Sequence, residues 1–404
     1  MFSHASADHR ESCPPSPALR DGGPVLDVFQ VGAGWLPERK GGIESVFFQL
    51  WSRLGEQGIA QRGLVSGTGA AERDTDGRLC SFPLAGRSMV QRTTRIRALA
   101  GRSFAERRPD VVASHFALHT LPFLDRLRGV PLVTHFHGPW ALESRVEGAS
   151  RPAVAAKKLI ETLVYRRSAR FIVASEAFKQ VLLNGYRVPD EVIRVIPLGV
   201  DCDRLDPDLS REEARRRLGW HADRPTLFTV RRLVRRMGLD RLLTAWDGIR
   251  RGPAGRDAVL HIGGTGPERD ALQRQVAELG LGSSVFLDGF IAEDALPVAF
   301  RAADLTLVPT AALEGFGLVA AESLAAGTPV LVTPVGGLPE VVSGLSAAMV
   351  LGGTDAGSIA AGIEGVLREP SLMPSAGECR AHARRAFGWD SIAPRIAAVY
   401  REAR

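Results

Sequence analysis

The amino-acid sequence predicts an α/β protein with two doubly wound domains whose ligand sites face a cleft. Its 404 residues exceed what one hydrophobic core usually organises, so two domains are expected. Short apolar strands alternate with helical segments in both halves, which is typical of parallel sheets covered by helices on both faces. A polar, turn-rich segment that begins at Asp201 separates the halves. In such folds, ligands bind at the carboxyl ends of the strands.

The apolar runs of each half predict its elements in order. In the first half they predict strands at 25–31, 111–113, 130–136 and 171–174 and helices at 43–54 and 153–168. In the second half they predict strands at 226–230, 258–262, 285–287, 305–309 and 330–333 and helices at 239–249 and 268–279. The second half therefore repeats the organisation of the first.

Composition indicates a reduced, cytosolic protein. Residues 1–23 contain no apolar core, so they are interpreted as a disordered leader and not as a signal peptide. The sequence contains no apolar run near the roughly eighteen residues that a membrane-spanning helix needs. The four cysteines are far apart, which argues against a zinc site and a disulfide framework; they are Cys13, Cys80, Cys202 and Cys379.

The net charge of +6 is concentrated in the first half, where 27 Lys and Arg residues stand against 19 Asp and Glu residues. The segment 87–108 holds seven arginines and one acid and predicts an amphipathic basic helix. Its apolar stripe comprises Met89, Ile96, Ala100 and Phe104. Arginines lie opposite, at Arg87, Arg95 and Arg102. This helix is compatible with an anionic membrane surface, with a diphosphate-bearing acceptor, or with a solvated charged face. Nucleic acid is not expected, because no aromatic residues are interleaved with the arginines.

The most informative stretch places two carboxylates around the glycine-opened start of a helix. It reads EGFGLVAAE, from Glu314 to Glu322, and follows the strand LTLVP. Gly315 and Gly317 are predicted to open the helix, which would put Glu322 about two turns inside it. An isolated glutamate pair would more often be a solvated loop residue and a surface helix residue. Here, carboxylates that accept bonds from vicinal hydroxyls flank N–H groups that attract phosphate, an arrangement that describes a nucleotide-sugar site.

The longer run EGFGLVAAESLAAGTPVLVTPVGGLPEVV resembles the donor-site signature of retaining GT-B glycosyltransferases of family four, the glycosyl transferases group 1. The resemblance covers nearly all of residues 25–404. It implies that Glu314 contacts the donor sugar and Glu322 the ribose. Donor contacts are also expected from the residues between them, Gly315, Phe316, Gly317 and Leu318.

The same resemblance implies the domain organisation. It predicts an N-terminal acceptor-side domain at 24–200 and a donor domain at 201–386. The segment FGWDSIAPRIAAVYREA resembles the final helix of the family, so a helix at 387–404 is expected to cross back to the first domain.

Two further motifs supply candidate catalytic residues. His137 follows the strand VPLVT and matches the family histidine that reaches the donor sugar, with His135 as the alternative. Arg232 matches the family arginine that binds the diphosphate. The family lysine five residues later is replaced by Met237, and the sequence contains no lysine after Lys179. Guanidinium groups bind phosphate well, so the second cation is expected from one of two neighbours, Arg235 or Arg236.

Glycine loops complete the predicted donor site. Gly41 and Gly42, in the loop KGGIE, resemble the family loop that closes over the donor phosphates, and the turn that contains Gly264 resembles the one that lines the nucleotide side of the pocket. Phe290 ends VFLDGF, a segment that resembles the one reading the base. The run GAGWLP has Pro37 where a dinucleotide-binding fingerprint needs glycine, which disfavours a nicotinamide enzyme.

No metal and no cofactor are expected. Four histidines without a carboxylate at helical spacing are a weak metal signal; they are His115, His119, His135 and His137. Two Asp-x-Asp strings, at 74–76 and 201–203, lie in predicted loops that lack the context of a metal-dependent fold. The sequence therefore predicts a retaining transferase that moves a sugar from a nucleoside-diphosphate donor to a carbohydrate or lipid-linked acceptor in polysaccharide or cell-envelope glycan synthesis, in the cytoplasm or on the inner membrane face. A nucleotide-sugar epimerase or hydrolase and a non-catalytic binding protein are the alternatives.

Overall fold

The computed structural model describes residues 25–36, 38–39 and 41–404. The predicted leader at 1–23 lies outside these residues, as do Pro37 of GAGWLP and Lys40 of KGGIE. The described residues form two parallel sheets, of seven and five strands, with helices between the strands. The predicted fold class of two Rossmann-like halves is therefore confirmed. Within this part of the chain, no helix combines the length and the apolar character needed to cross a membrane.

The first sheet has the strand order β3-β2-β1-β4-β5-β6-β7. All six residues of the interior strand β1 are buried, as expected for a strand covered on both faces. Its strands are β1 (Leu26–Val31), β2 (Ile59–Ser66), β3 (Leu79–Phe82), β4 (Val111–Ser114), β5 (Leu132–Phe136), β6 (Ser168–Val173) and β7 (Ile193–Val195). Its accompanying helices are α1 (Gly42–Leu54), α2 (Ala70–Asp74), α3 (Met89–Glu106), α4 (Ala117–Thr120), α5 (Trp140–Val146), α6 (Arg151–Tyr165) and α7 (Glu176–Tyr186).

Strand β2 had no sequence prediction because polar residues interrupt it. Arg62 lies inside the strand, and its guanidinium forms an ion pair with the buried Asp27 carboxylate of β1 at 3.1 Å. A buried charge is tolerated when it is paired and hydrogen-bonded, so this strand carries an arginine that breaks the apolar pattern.

The predicted basic helix is α3. Ser88 caps its first turn in a reciprocal pair of hydrogen bonds with Gln91, which explains where it begins. Ile96 and Ala100 of the predicted apolar stripe are buried within the fold, whereas Met89 is 56% exposed. Most of the stripe is therefore used for packing, and only its N-terminal end offers an exposed apolar side chain.

The second sheet has the strand order β10-β9-β8-β11-β12. Its side chains alternate between two buried clusters, with Leu227 and Leu307 on one face and Phe228 and Val308 on the other. Its strands are β8 (Thr226–Val230), β9 (Val259–Gly263), β10 (Val285–Gly289), β11 (Leu305–Val308) and β12 (Val330–Val332). The remaining helices are α8 (Cys202–Leu205), α9 (Arg211–Leu218), α10 (Leu239–Arg251), α11 (Arg269–Glu278), α12 (Leu296–Ala302), α13 (Leu318–Ala325), α14 (Leu338–Val342), α15 (Ala356–Arg368), α16 (Ala376–Phe387) and α17 (Trp389–Ala403).

Contacts divide the chain into two compact units. One comprises the described residues up to His135 together with 167–170 and 396–404, and the other comprises 136–166 and 171–395. The domain limits expected from the sequence, at 200 and 386, stay predictions. The residues of the EGFGLVAAE motif all belong to the second unit, which carries the five-stranded sheet.

Candidate active site

The EGFGLVAAE motif forms the loop that follows β11 and the first turns of α13. Gly317 caps the helix with φ +100°, and a Cβ there would come within 2.4 Å of the Leu338 side chain, so glycine is required. No side chain caps this helix start, which leaves its first N–H groups to other partners. Glu322 is the fifth residue of α13, so it lies just over one turn inside the helix and not two, as the sequence reading expected.

Glu314 is held in place by two side chains and is not a solvated loop residue. Its carboxylate forms an ion pair with Arg231 and accepts a hydrogen bond of 3.1 Å from the Thr310 hydroxyl, and only 14% of its side chain is exposed. The preceding residue, Leu313, has a φ of +55°, a left-handed conformation that is uncommon for leucine. The loop therefore presents Glu314 in a restrained orientation, as a site residue requires.

Arg231, which the sequence analysis did not select, is the cation that contacts Glu314. It directly follows β8, and its Nη2 also donates to Thr310 Oγ1 at 2.8 Å and approaches Met237 Sδ at 2.9 Å. Its side chain is buried, and its Nε has no hydrogen-bond partner among the described residues. The same strand-end reasoning that singled out His137 could have identified it.

The backbone of Arg231 is held by its contacts with Gly263 and Gly264. The Arg231 N–H donates to the Gly263 carbonyl at 3.0 Å, which joins the ends of β8 and β9. Gly264 has φ +125°, and a Cβ at that position would lie 1.8 Å from the Arg231 carbonyl oxygen. Gly264 thus permits a close backbone approach that any side chain would prevent.

The three arginines that the sequence predicted for diphosphate binding differ from one another in burial and in their partners. Arg232 is 62% exposed and its Nη2 lies 3.4 Å from Glu147 Oε1. Arg235 is exposed. Arg236 is buried, donates to the Leu313 carbonyl at 2.9 Å and forms an ion pair with Glu147 at 3.4 Å. Of these, Arg236 contacts the loop that carries Glu314, whereas Arg232 and Arg235 project outward.

Glu322 is buried, and burial raises the pKa of its carboxyl to about 8. The neighbouring carboxylate of Glu293 acts in the same direction, and the cations of Arg204 and Arg231 act against it. At neutral pH this carboxyl is therefore largely protonated, so it can both donate and accept hydrogen bonds to a vicinal diol.

The other residues predicted to contact the donor differ in whether their side chains are buried or exposed. The Phe316 side chain is buried against Phe387 at a centroid distance of 5.3 Å, so only its main chain is available to a ligand. Leu318 packs against the same core cluster. Gly315 accepts a hydrogen bond of 2.6 Å from the Ser175 hydroxyl. Phe290, by contrast, is 52% exposed just beyond β10.

Comparison with known proteins identifies the family. The sequence matches the model for Glycosyltransferase Family 4 over residues 40–204 and the model for Glycosyl transferases group 1 over residues 210–385. A D-inositol 3-phosphate glycosyltransferase from Thermobispora bispora is 34% identical over 342 residues, which cover 82% of this chain and 76% of that protein. The chain belongs to the group 1 glycosyltransferases.

Solved structures share the fold of this glycosyltransferase. Sucrose-phosphate synthase from Thermosynechococcus elongatus matches it with a TM-score of 0.78 at 23% identity, covering 93% of this chain and 98% of that one. Anabaena HepE in complex with UDP and glucose matches with a TM-score of 0.76 at 19% identity, covering 93% of this chain and 100% of that one. At these identities the match establishes the GT-B fold alone.

His137, the predicted catalytic histidine of the glycosyltransferase, lies directly after β5. It is half-buried, and burial lowers its pKa to about 4. The imidazole is therefore neutral at physiological pH and can act as a hydrogen-bond donor or acceptor to a sugar hydroxyl.

The alternative, His135, has a structural environment. It stacks on His115 with centroids 4.1 Å apart, and its Nε2 lies 2.7 Å from the Tyr400 hydroxyl. The Nε2 of His115 in turn lies 3.2 Å from Gln30 Oε1. His135 and His115 thus both have partners within the fold, and the choice of His137 as the residue that contacts the donor sugar stays a prediction.

The predicted phosphate loop at Gly41 and Gly42 is occupied by a carboxylate of its own helix. Gly41 caps α1, and a Cβ there would meet the Glu44 carboxylate at 2.4 Å. Glu44 forms an ion pair with Arg39 at 3.1 Å. An acidic residue in the first turn already complements the positive helix end. The role of this loop at the donor phosphates stays a prediction.

The two Asp-x-Asp strings have structural partners in the enzyme. Asp74 accepts a hydrogen bond of 2.8 Å from the indole N–H of Trp35. Asp201 caps α8 by accepting from the Arg204 N–H at 3.1 Å, and Asp203 forms an ion pair with Arg384 at 2.6 Å. Asp74, Asp201 and Asp203 thus each contact a group of the protein, and the independence from metal stays a prediction.

Proposed function

We propose that this glycosyltransferase moves a sugar, with retention of anomeric configuration, from a nucleoside-diphosphate sugar to a hydroxyl of a carbohydrate or lipid-linked acceptor. The observation that carries this proposal is the ion pair between Glu314, on the loop before the open N-terminus of α13, and Arg231, at the end of β8. Along the loop and helix, the Glu314 carboxylate for sugar hydroxyls is followed by N–H groups for phosphate and by the Glu322 carboxyl for ribose. That order matches the order of groups in the donor.

The step is a displacement at the anomeric carbon. The bond between that carbon and the diphosphate oxygen breaks, and its electron pair leaves with the diphosphate. The acceptor oxygen forms the new bond on the same face, and its proton passes to a diphosphate oxygen. Arginine and the α13 amides would stabilise the developing negative charge in a preorganised site.

Neutral His137 and the restrained Glu314 carboxylate would orient the donor sugar. Neither residue needs to form a covalent bond to the sugar in this route. The names of the relatives support sugar transfer from a nucleotide donor: the Thermobispora bispora protein is a D-inositol 3-phosphate glycosyltransferase, and the Anabaena structure holds UDP and glucose.

The test is turnover against a panel of UDP-, GDP- and ADP-sugars, with carbohydrate and lipid-linked acceptors and a mass and NMR readout of the product. We expect a glycoside that keeps the anomeric configuration of the donor. Release of free sugar, or an epimerised nucleotide sugar without acceptor, would replace the proposal with a hydrolase or an epimerase. Nucleotide-sugar binding with no product from any acceptor would favour the non-catalytic binding protein.

We also propose that the enzyme associates with anionic membrane surfaces through α3. Arg95 and Arg102 are exposed on this helix, and Met89 and Val90 expose apolar side chains at its start. Basic residues near an anionic surface contribute about 1 kcal/mol each to binding. Placement at the inner face of the membrane would bring the enzyme to a lipid-linked acceptor.

A further inference from the structure

We propose that Arg231 supplies the second diphosphate-binding cation, the one for which this chain lacks a lysine. The inference rests on the proposed nucleoside-diphosphate donor. It differs from the expectation drawn from the sequence, which assigned this charge to Arg235 or Arg236.

Arg231 lies beside the position at which the family has its lysine. Met237 occupies the place of the family lysine, and its side chain is buried. The guanidinium of Arg231 reaches the end of that side chain, with Nη2 2.9 Å from Met237 Sδ. A cation is therefore present where the lysine is missing, although it comes from the end of β8 and not from position 237.

Arg231 also retains an unused hydrogen-bond donor. Its Nη2 serves Thr310, Glu314 and Met237. Its Nε is buried and has no hydrogen-bond partner among the described residues. A buried donor without an acceptor is costly and uncommon, so such a group marks the place of an acceptor that a ligand would bring. Phosphate oxygens are suitable acceptors for a guanidinium.

The neighbouring arginines are less suited to this role. Arg236 is already engaged by the Leu313 carbonyl and by Glu147, and it lies 3.6 Å from Glu143 as well. Arg235 is exposed to solvent. Arg231 alone of these three donates to the carboxylate of Glu314, so it can couple binding of the diphosphate to the position of the sugar-binding residue.

Arg231 would thus act on the leaving group without transferring a proton. A guanidinium group is a hydrogen-bond donor only and keeps its positive charge in proteins. It would donate hydrogen bonds to the diphosphate oxygens as they receive the electron pair from the broken bond. Its backbone is held by Gly263 and Gly264, so this charge requires little reorganisation during the reaction.

The experiment moves the positive charge from position 231 to position 237 by substitution. The probes are UDP, GDP and ADP, titrated calorimetrically into the full-length enzyme. Arg231→Ala should lower the affinity for the nucleoside diphosphate that the wild type binds by about 10- to 100-fold. The affinity for the corresponding nucleoside, which lacks the phosphates, should change little. Adding Met237→Lys to Arg231→Ala should recover at least about tenfold of that loss. Met237→Lys alone should not improve binding, because two cations would then share one site.

Arg274→Ala, on the exposed face of α11, is the matched control and should bind as the wild type does. Circular dichroism and thermal unfolding check that each variant is folded, and Arg231→Lys provides a milder substitution if Arg231→Ala is not. Unchanged diphosphate affinity in folded Arg231→Ala and Arg231→Lys, or no rescue by Met237→Lys, overturns the inference while leaving the donor class intact. If the wild type binds no nucleoside diphosphate, both the proposed function and this inference fail.

Discussion

Replacing Glu322 with glutamine should remove a large pH dependence from the stability of the enzyme. Glu322 lies within α13 and is 8% exposed. Burial raises the pKa of its carboxyl from 4.5 to about 8. Glutamine has nearly the same size and shape but does not titrate, so the substitution isolates the effect of ionisation.

The direction follows from proton linkage. An acid whose pKa is raised on folding takes up a proton as the chain folds at any pH between its two pKa values. The wild type therefore loses stability as the pH rises from about 4.5 to about 8. At about 1.4 kcal/mol per pH unit, the full difference has an upper limit of about 5 kcal/mol. The glutamine variant should lack this slope and should be the more stable protein at pH 8.

The assay is urea unfolding at several pH values between about 5 and 8, because linkage predicts the largest change in this window. Wild type, Glu322→Gln and Glu278→Gln are compared, since Glu278 is an exposed glutamate on α11 and should leave the slope unchanged. Taking differences from the wild type removes the contribution of other titrating groups. Parallel curves for wild type and Glu322→Gln would refute the conclusion that folding buries this carboxyl in its neutral form.

Three further outcomes are expected. Glu314→Ala should lower kcat/KM by at least about 10²-fold, because a restrained contact to the donor sugar is lost; near-normal turnover by the folded variant would remove Glu314 from the site. Activity should survive millimolar chelator, because Asp74 and Asp203 already have protein partners; complete loss restored by manganese or magnesium would indicate a metal-dependent mechanism. The enzyme should co-sediment with anionic but not neutral vesicles and be released at ~1 M salt, where the Debye length is about 3 Å; charge reversal at Arg95 and Arg102 should abolish this binding, and equal binding to both vesicle types would exclude it.

Much of the fold could be predicted because its signals are local. The apolar run of β8 was assigned with the bounds that the structure shows, and the remaining predicted strands overlap the observed ones. Strand β2 was missed because Arg62 is paired with Asp27, which lies 35 residues earlier. The pattern of apolar residues along the chain does not show that a charged residue is paired with another that lies far away in the sequence.

The candidate site shows the same division. Gly317 and the two glutamates could be found from the sequence, because a helix start and its flanking carboxylates lie within nine consecutive residues. The spacing along α13 was overestimated, because the helix begins only at Leu318. Which arginine serves Glu314 was not predictable in this way, since neighbouring arginines look alike in a sequence.

The sequence by itself thus determined the two α/β halves, the family, and the loop and helix on which the donor residues lie. The tertiary structure decided that Arg231 and Glu314, 83 residues apart, form a pair and that Met237 lies beside them. It also decided that Glu322 is buried deeply enough to raise its pKa. The physical reason is that helix and strand signals arise from near neighbours in the chain, whereas desolvation and ion pairing depend on segments that only folding brings together.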